Sequence, residues 1–264
     1  MFLVVLEALL CVLAFMFGAC IFSFLNVIVY RLPRKLSFVK GFSMCPSCGQ
    51  RLKAPDLVPV FSYLFLRGKC RYCKAAIGVR DTLVEILGGV LALLSAWKYI
   101  YKEENIAAFV VVFLFFCILT VVAFIDKDTM EIPDGCSIAI VLLAIAAALL
   151  PMVMPEVSLL SRVIGLVCVS LPMLLVTLAI PGAFGGGDIK LMAAAGLFLG
   201  WKLTVVSAAI AVLTGGIYGC WLLAAHKAGR KDQFAFGPFL CAGLGIGVLV
   251  GTYVIDWYMG FLVY

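Results

Sequence analysis

The chain has 264 residues, 65% of them hydrophobic and 13% charged, with a mean hydropathy of +1.20 and a formal charge of +6. Soluble domains average roughly 45–50% apolar and about 25% charged residues, so this chain has too little polar side chain to cover a water-facing surface. A soluble globular protein is excluded, and the modest basic excess is no signature of nucleic-acid binding.

A helix crossing a bilayer needs about 20 apolar residues. In chain order, the candidate spans are 3–29, 82–101, 107–125, 135–154, 159–181, 188–200, 203–225 and 237–262. The first lacks a basic n-region and a small-residue cleavage site, and reads as a retained span rather than a secretory signal. The sixth is short, as a tilted or partial helix can be when the bundle covers it. The link before it carries Pro181, Gly182 and Gly185-Gly186-Gly187, which stop a helix.

Charge sets the expected orientation. Segment 30–81 is dense in Lys and Arg, Lys40 among them. Lys127, Lys190 and the group Lys227, Arg230, Lys231 follow the third, fifth and seventh spans. With eight alternating helices all of these share one side, leaving Lys98, Lys102, Arg162 and Lys202 on the other. Positive charge marks the cytoplasmic side, so segment 30–81 is expected inside and the N-terminus outside. The sequence thus predicts an all-α polytopic membrane protein of about eight transmembrane helices. Its divisions are a first helix (1–29), a small cytoplasmic domain (30–81) and a transmembrane domain (82–264).

Within 30–81, Cys45-Pro-Ser-Cys48 and Cys70-Arg-Tyr-Cys73 form two Cys-x-x-Cys pairs. A two-residue spacer lets one tight turn offer two sulfurs to one metal, and four thiolates suit tetrahedral zinc. Gly49 fits the turn after the first pair. Disulfides are disfavoured on a reducing side, and a redox dithiol would need one pair and a thioredoxin-like surround that is absent. Four protein ligands close the coordination sphere, so the zinc is expected to be structural, folding a domain with little core of its own. The other seven cysteines lie in or beside apolar spans and read as small hydrophobes.

Two acids stand at helix ends on the same predicted face. Asp126 closes the third span in Ile125-Asp126-Lys127-Asp128, followed by Ile132-Pro133-Asp134. Asp188 opens the sixth in Gly185-Gly186-Gly187-Asp188-Ile189-Lys190. Taken singly, Asp188 reads as a helix N-cap and Asp126, Asp128 and Asp134 as loop charges. The competing reading is paired-acid chemistry, since ionisable groups at membrane depth are costly and three glycines let another backbone come close. Aspartic peptide hydrolysis uses one ionised carboxylate to activate water and one protonated carboxyl to polarise the scissile carbonyl. Helix polarity would favour Asp188, at a positive helix end, as the base, and Asp126, at a negative end, as the proton holder.

The ordered motifs resemble the type IV prepilin leader peptidases, intramembrane aspartyl peptidases of the GxGD kind. They are Ser23-Phe-Leu-Asn-Val-Ile-Val-Tyr-Arg-Leu-Pro33, the two cysteine pairs, Asp56-Leu-Val-Pro59, Ser62-Tyr-Leu64, Ile125-Asp126-x-Asp128 with Ile132-Pro133-Asp134, Gly185-Gly-Gly-Asp-Ile-Lys-Leu191, and Phe236-Gly-Pro-Phe239. The chain departs from the family's usual run at Arg80-Asp81-Thr82 and retains Glu85. The resemblance implies catalytic roles for Asp126 and Asp188, with Gly185, Gly186, Gly187, Lys190, Asp128, Pro133 and Asp134 as their support. It implies cleavage of prepilins and pseudopilins after a glycine at the cytoplasmic face of the bacterial inner membrane. In many members it also implies N-methylation of the new terminus with S-adenosylmethionine, an activity associated with the N-terminal half. A transporter would show inverted repeats and broken helices at the midplane; here the irregular acidic segments gather at one face. A zinc-stabilised assembly protein that binds pilins without cutting them is opposed by the twin acids and the glycine run.

Overall fold

A computed structural model of the chain describes residues 2–37, 39, 41–150, 153–154, 157–225 and 234–262. These residues form helices and no strands, and they divide into two compact units, Met1–Glu104 and Asn105–Tyr264. Lys40, Lys227, Arg230 and Lys231, counted above as cytoplasmic charges, lie outside the described residues.

The first unit holds α1 (Phe2–Arg31), a short α2 (Phe61–Phe65) and α3 (Val79–Ser95), which runs on through a π-helical turn, Ala96–Lys102. Lipid offers no hydrophobic drive between helices, so close backbone approach at small residues does the work. A Cβ on Gly18 of α1 would overlap the Gly88 carbonyl of α3, while the Phe22 and Phe15 rings fill the space over Gly88 and Gly89. This seam carries α3 into the first unit, which extends to Glu104.

The second unit holds α4 (Ile106–Thr129), which buries 67% of its apolar stretch, more than any other helix of spanning length. With it are α5 (Asp134–Leu149), α6 (Leu159–Cys168), α7 (Ser170–Ala179), α8 (Gly186–Leu199), α9 (Trp201–Ala224) and α10 (Gly237–Leu262); α5 and α10 pack on α4, and α5, α6, α7, α9 and α10 on α8. The predicted span 159–181 is interrupted at Val169, between α6 and α7. Pro172 explains the break, because it has no N–H for the Cys168 carbonyl and its ring crowds that oxygen.

Each of the eight predicted spans contains helix, and among the described residues six helices are long and apolar enough to cross a membrane. Helices α5 and α8 are shorter, at 16 and 14 residues. At 1.5 Å per residue α8 reaches only about 21 Å, against roughly 30 Å of hydrocarbon. Eight of its residues are buried, so neighbouring helices cover it. A Gly165–Gly196 crossing brings α6 against it at backbone distance.

Arg162, counted in the sequence among the charges of the outer side, is buried within the second unit. It is only 2% exposed and donates to the carbonyls of Leu197 (3.3 Å), Phe198 (2.9 Å) and Ala147 (3.4 Å). Helix C-termini leave carbonyls without partners and carry partial negative charge. One guanidinium answers both needs at the ends of α5 and α8.

Candidate functional site

Segment 44–76 contains two turns of the same construction. Isolated antiparallel bridges, Met44 with Arg51 and Lys69 with Ala76, close each Cys-x-x-Cys. The Cys45 N–H donates to the Gln50 carbonyl (3.0 Å) and the Gly49 N–H to that of Cys45 (2.8 Å). Cys70 with Ala75 (2.8 Å) and Lys74 with Cys70 (3.0 Å) repeat the pattern. The residue after each pair is left-handed, Gly49 at φ +67° and Lys74 at φ +60°.

The four sulfurs converge to within 4.8 Å of one another, with Cys45 and Cys73 at 3.9 Å. Zn–S bonds of about 2.3 Å in a tetrahedron set S···S edges near 3.8 Å. Cys45, Cys48, Cys70 and Cys73 therefore fit one zinc ion with a small contraction. The N–H groups of Cys48 and Ser47 pull the Cys45 thiol down to about 6, while burial and the neighbouring sulfurs push Cys73 up to about 11, the split expected of thiols that share protons until a metal displaces them.

Asp56 braces the second turn. Its side chain is 3% exposed and accepts from the Lys53 N–H (3.1 Å), Arg71 Nε (2.5 Å) and the Tyr72 hydroxyl (3.2 Å). Arg71 and Tyr72 are the two residues between Cys70 and Cys73. Burial pushes the Asp56 carboxyl up, but these donors outweigh it and hold it below its ordinary value. A second brace comes from α3, where Glu85 Oε2 accepts the Val60 N–H at 2.8 Å. Val60 has φ +63°, a strained conformation for a β-branched residue.

In the second unit, α4, α5, α8 and α10 bring the acidic and glycine motifs together. Asp126 and Asp188 are 5% and 8% exposed and lie within electrostatic reach of each other. Asp128 is exposed; two residues along a helix turn it to another face. Asp188 Oδ2 accepts the Gly185 N–H at 3.2 Å. Gly185 is the N-cap of α8, so Asp188 sits three residues in and reaches back to the cap, rather than being the cap itself. Gly186 has no neighbouring atom within 4 Å of where a Cβ would stand, whereas Gly187 is packed on Ile132. Pro133 is the N-cap of α5. Asp134, in its first turn, pairs with Lys190 of α8 at 2.8 Å, both side chains exposed.

The sequence reading missed Gly237. Its N–H, at the start of α10, donates to Asp126 Oδ2 at 2.9 Å, and a Cβ there would stand 2.6 Å from that oxygen. The available signal was Gly237-Pro238 opening an apolar run, since proline suits a first helical turn. Asp126 thus ends its own helix but faces the positive end of another. Both carboxylates accept an N–H from a helix N-terminus, and the polarity argument for Asp188 as the base loses its asymmetry. Buried Cys241 of α10 lies within electrostatic reach of both carboxylates and of Cys136 on α5.

Comparison with known proteins agrees with both halves. Residues 16–99 match the bacterial peptidase A24 N-terminal domain, and residues 113–220 match the type IV leader peptidase family. The chain is 30% identical to the prepilin leader peptidase/N-methyltransferase of Aeromonas salmonicida (strain A449), over 94% of this chain and 93% of the relative. Relatives of the same name in Legionella pneumophila (29%, covering 93% of each chain) and Bacillus subtilis (strain 168) (29%, covering 93% and 96%) are similar over comparable lengths. No solved structure matches the chain. Matched along nearly its whole length, the chain belongs to the type IV leader peptidase family.

Proposed function

We propose that this protein cleaves the leader of type IV prepilins and pseudopilins after a glycine at the cytoplasmic membrane face, with Asp126 and Asp188 as the catalytic pair, and N-methylates the new terminus. The observation that carries the reading is the pair itself: two buried carboxylates on different helices, each held by one helix-terminal N–H, beside open space at Gly186.

Close carboxylates cannot both ionise, so the pair shares a proton. The ionised member takes a proton from water as the water oxygen attacks the scissile carbonyl carbon. The protonated member gives its proton to the carbonyl oxygen, and transfer of a proton to the amide nitrogen then releases the new N-terminus. Gly186 leaves room for the substrate backbone. Asp134 and Lys190 fasten α5 to α8 on the flank of the site.

Zinc held by Cys45, Cys48, Cys70 and Cys73 is structural, because four protein thiolates leave no open position. S-adenosylmethionine is the methyl donor when bound, consistent with the N-methyltransferase names of the relatives. The concentration of basic residues in 30–81 supports a cytoplasmic cysteine segment and an N-terminus outside, in a multi-pass inner-membrane protein.

The test is incubation of the purified protein with a prepilin and S-adenosylmethionine, reading the pilin N-terminus by mass spectrometry. A shortened pilin carrying one methyl group is expected. An intact leader would overturn the peptidase reading, and a shortened, unmethylated pilin would reduce the enzyme to a peptidase.

A further inference from the structure

The two hydrogen bonds that hold the acids come from two peptide units with something in common. The N–H reaching Asp188 belongs to the Phe184–Gly185 peptide, and the N–H reaching Asp126 to the Phe236–Gly237 peptide. The two phenylalanines touch. Their ring centroids are 6.0 Å apart with planes inclined at 49°, within the range for a favourable aromatic pair. Phe236 is also seated from behind. Phe236 lies against α9 where Gly215 leaves room, since a Cβ there would come within 2.7 Å of the ring, and it stacks on Phe239 at 6.5 Å. Phe184 is half-buried and borders an open apolar pocket of ≈ 320 Å³ with Met173 of α7 and Val205 of α9.

We infer that the Phe184–Phe236 ring pair is a positioning device for the peptidase reaction, fixing the separation of Asp126 and Asp188 by tying together the two backbone N–H groups that hold them. This rests on the reading of those aspartates as the catalytic pair. Neither ring is a catalytic residue; each acts through the glycine that follows it. Glycine in each of the two loops provides little stiffness of its own. The ring contact supplies what the glycines lack. Position matters here because a misplacement of about 1 Å can cost on the order of 100-fold in rate.

The separation of two acids has a readout that folding does not. A pair that works singly protonated is active between its two macroscopic ionisations, and these move apart as the carboxylates approach. Loosening the pair therefore narrows the pH range of activity. The titratable groups around it are the Cys241 thiol of α10 and the Cys136 thiol of α5, with the Asp134–Lys190 ion pair further out on the α5–α8 seam.

The experiment compares the full-length wild type with Phe184→Leu, Phe184→Tyr, Phe236→Leu and Phe236→Tyr, measuring kcat and KM for prepilin cleavage across pH. Each sample is checked for its melting temperature and metal content. Leucine keeps apolar bulk without the ring, and tyrosine keeps the ring. The Leu variants are expected to lose on the order of tenfold in kcat with KM little changed and a narrowed pH profile, and the Tyr variants to recover the wild-type width. Leu variants with the wild-type profile, or Tyr variants that fail like Leu, would overturn the inference. Cleavage by Asp126→Asn or Asp188→Asn, run alongside, would instead sink the underlying assignment.

Discussion

The cysteine segment of the first unit and the aspartate site of the second both gather groups that repel one another when charged, and they do so by opposite means. Four thiolates are collected by two short turns, each closed by hydrogen bonds spanning a handful of residues. Two carboxylates are collected by helix ends, and the bond that holds Asp126 comes from a residue 111 positions away. A metal ion at the first cluster would cancel its charge, so local turns that converge are sufficient. Among the described residues, two backbone donors from helix N-termini hold the second, so its geometry depends on how whole helices pack. The first site should therefore fail when its ion is removed, and the second when backbone spacing is disturbed.

The largest expected effect falls on the metal. Stripping with a chelator, or Cys70→Ser, should take the content from about one zinc per chain to nearly none. It should also raise amide exchange across residues 44–76 by orders of magnitude while α4 and α8 keep their protection. Zinc-free protein with an unchanged exchange pattern would break the comparison.

Next comes Gly237→Ala. The new methyl cannot coexist with Asp126 Oδ2 where it now stands, so cleavage should fall on the order of 100-fold with metal content unchanged. Gly186→Ala, entering open space, should fold normally and leave the acids in place. Wild-type cleavage by Gly237→Ala would show that the close approach at Gly237 does not hold Asp126 in its working position.

A smaller effect concerns pH. The Asp56 carboxyl is held below its ordinary value in the folded segment. Its contribution to stability is therefore present above the ordinary aspartate value of about 3.9, and is lost as pH falls through that value and then through the folded one. In urea titrations of the zinc-loaded protein, wild type should exceed Asp56→Asn at neutral pH, and the gap should close on acidification. A gap independent of pH would assign Asp56 a packing role only.

The smallest effect distinguishes the two cysteine turns. Lys74 occupies the left-handed position that Gly49 occupies in the other turn. Lys74→Gly should be neutral or stabilising by less than about 1 kcal/mol, and Gly49→Lys destabilising by roughly 1 kcal/mol. Melting curves of the two variants measure both.

Legibility in the sequence follows the same divide. The cysteine turns were readable because ligand spacing is a local property, and the apolar runs were readable because lipid leaves few other uses for them. Hydropathy averages over a window, so it joined α6 and α7 across the break that Pro172 makes. The burial of Arg162 was not legible, because its partners are the carbonyls of distant helix ends, which carry no side-chain signature. Three glycines in a row left the start of α8 undetermined, which moved Asp188 from the cap to the third position. Gly237 could be quoted as part of a motif, yet nothing local says that its N–H meets Asp126. Motif order shows which segments belong together; packing decides which atoms do.

The most direct measurement is cleavage of one prepilin by the wild type, Asp126→Asn and Asp188→Asn, purified under identical conditions and read by mass spectrometry of the pilin N-terminus. Both variants should insert, bind zinc and leave the leader intact, while the wild type removes it. A pilin shortened at the wild-type rate by either variant would contradict the pair.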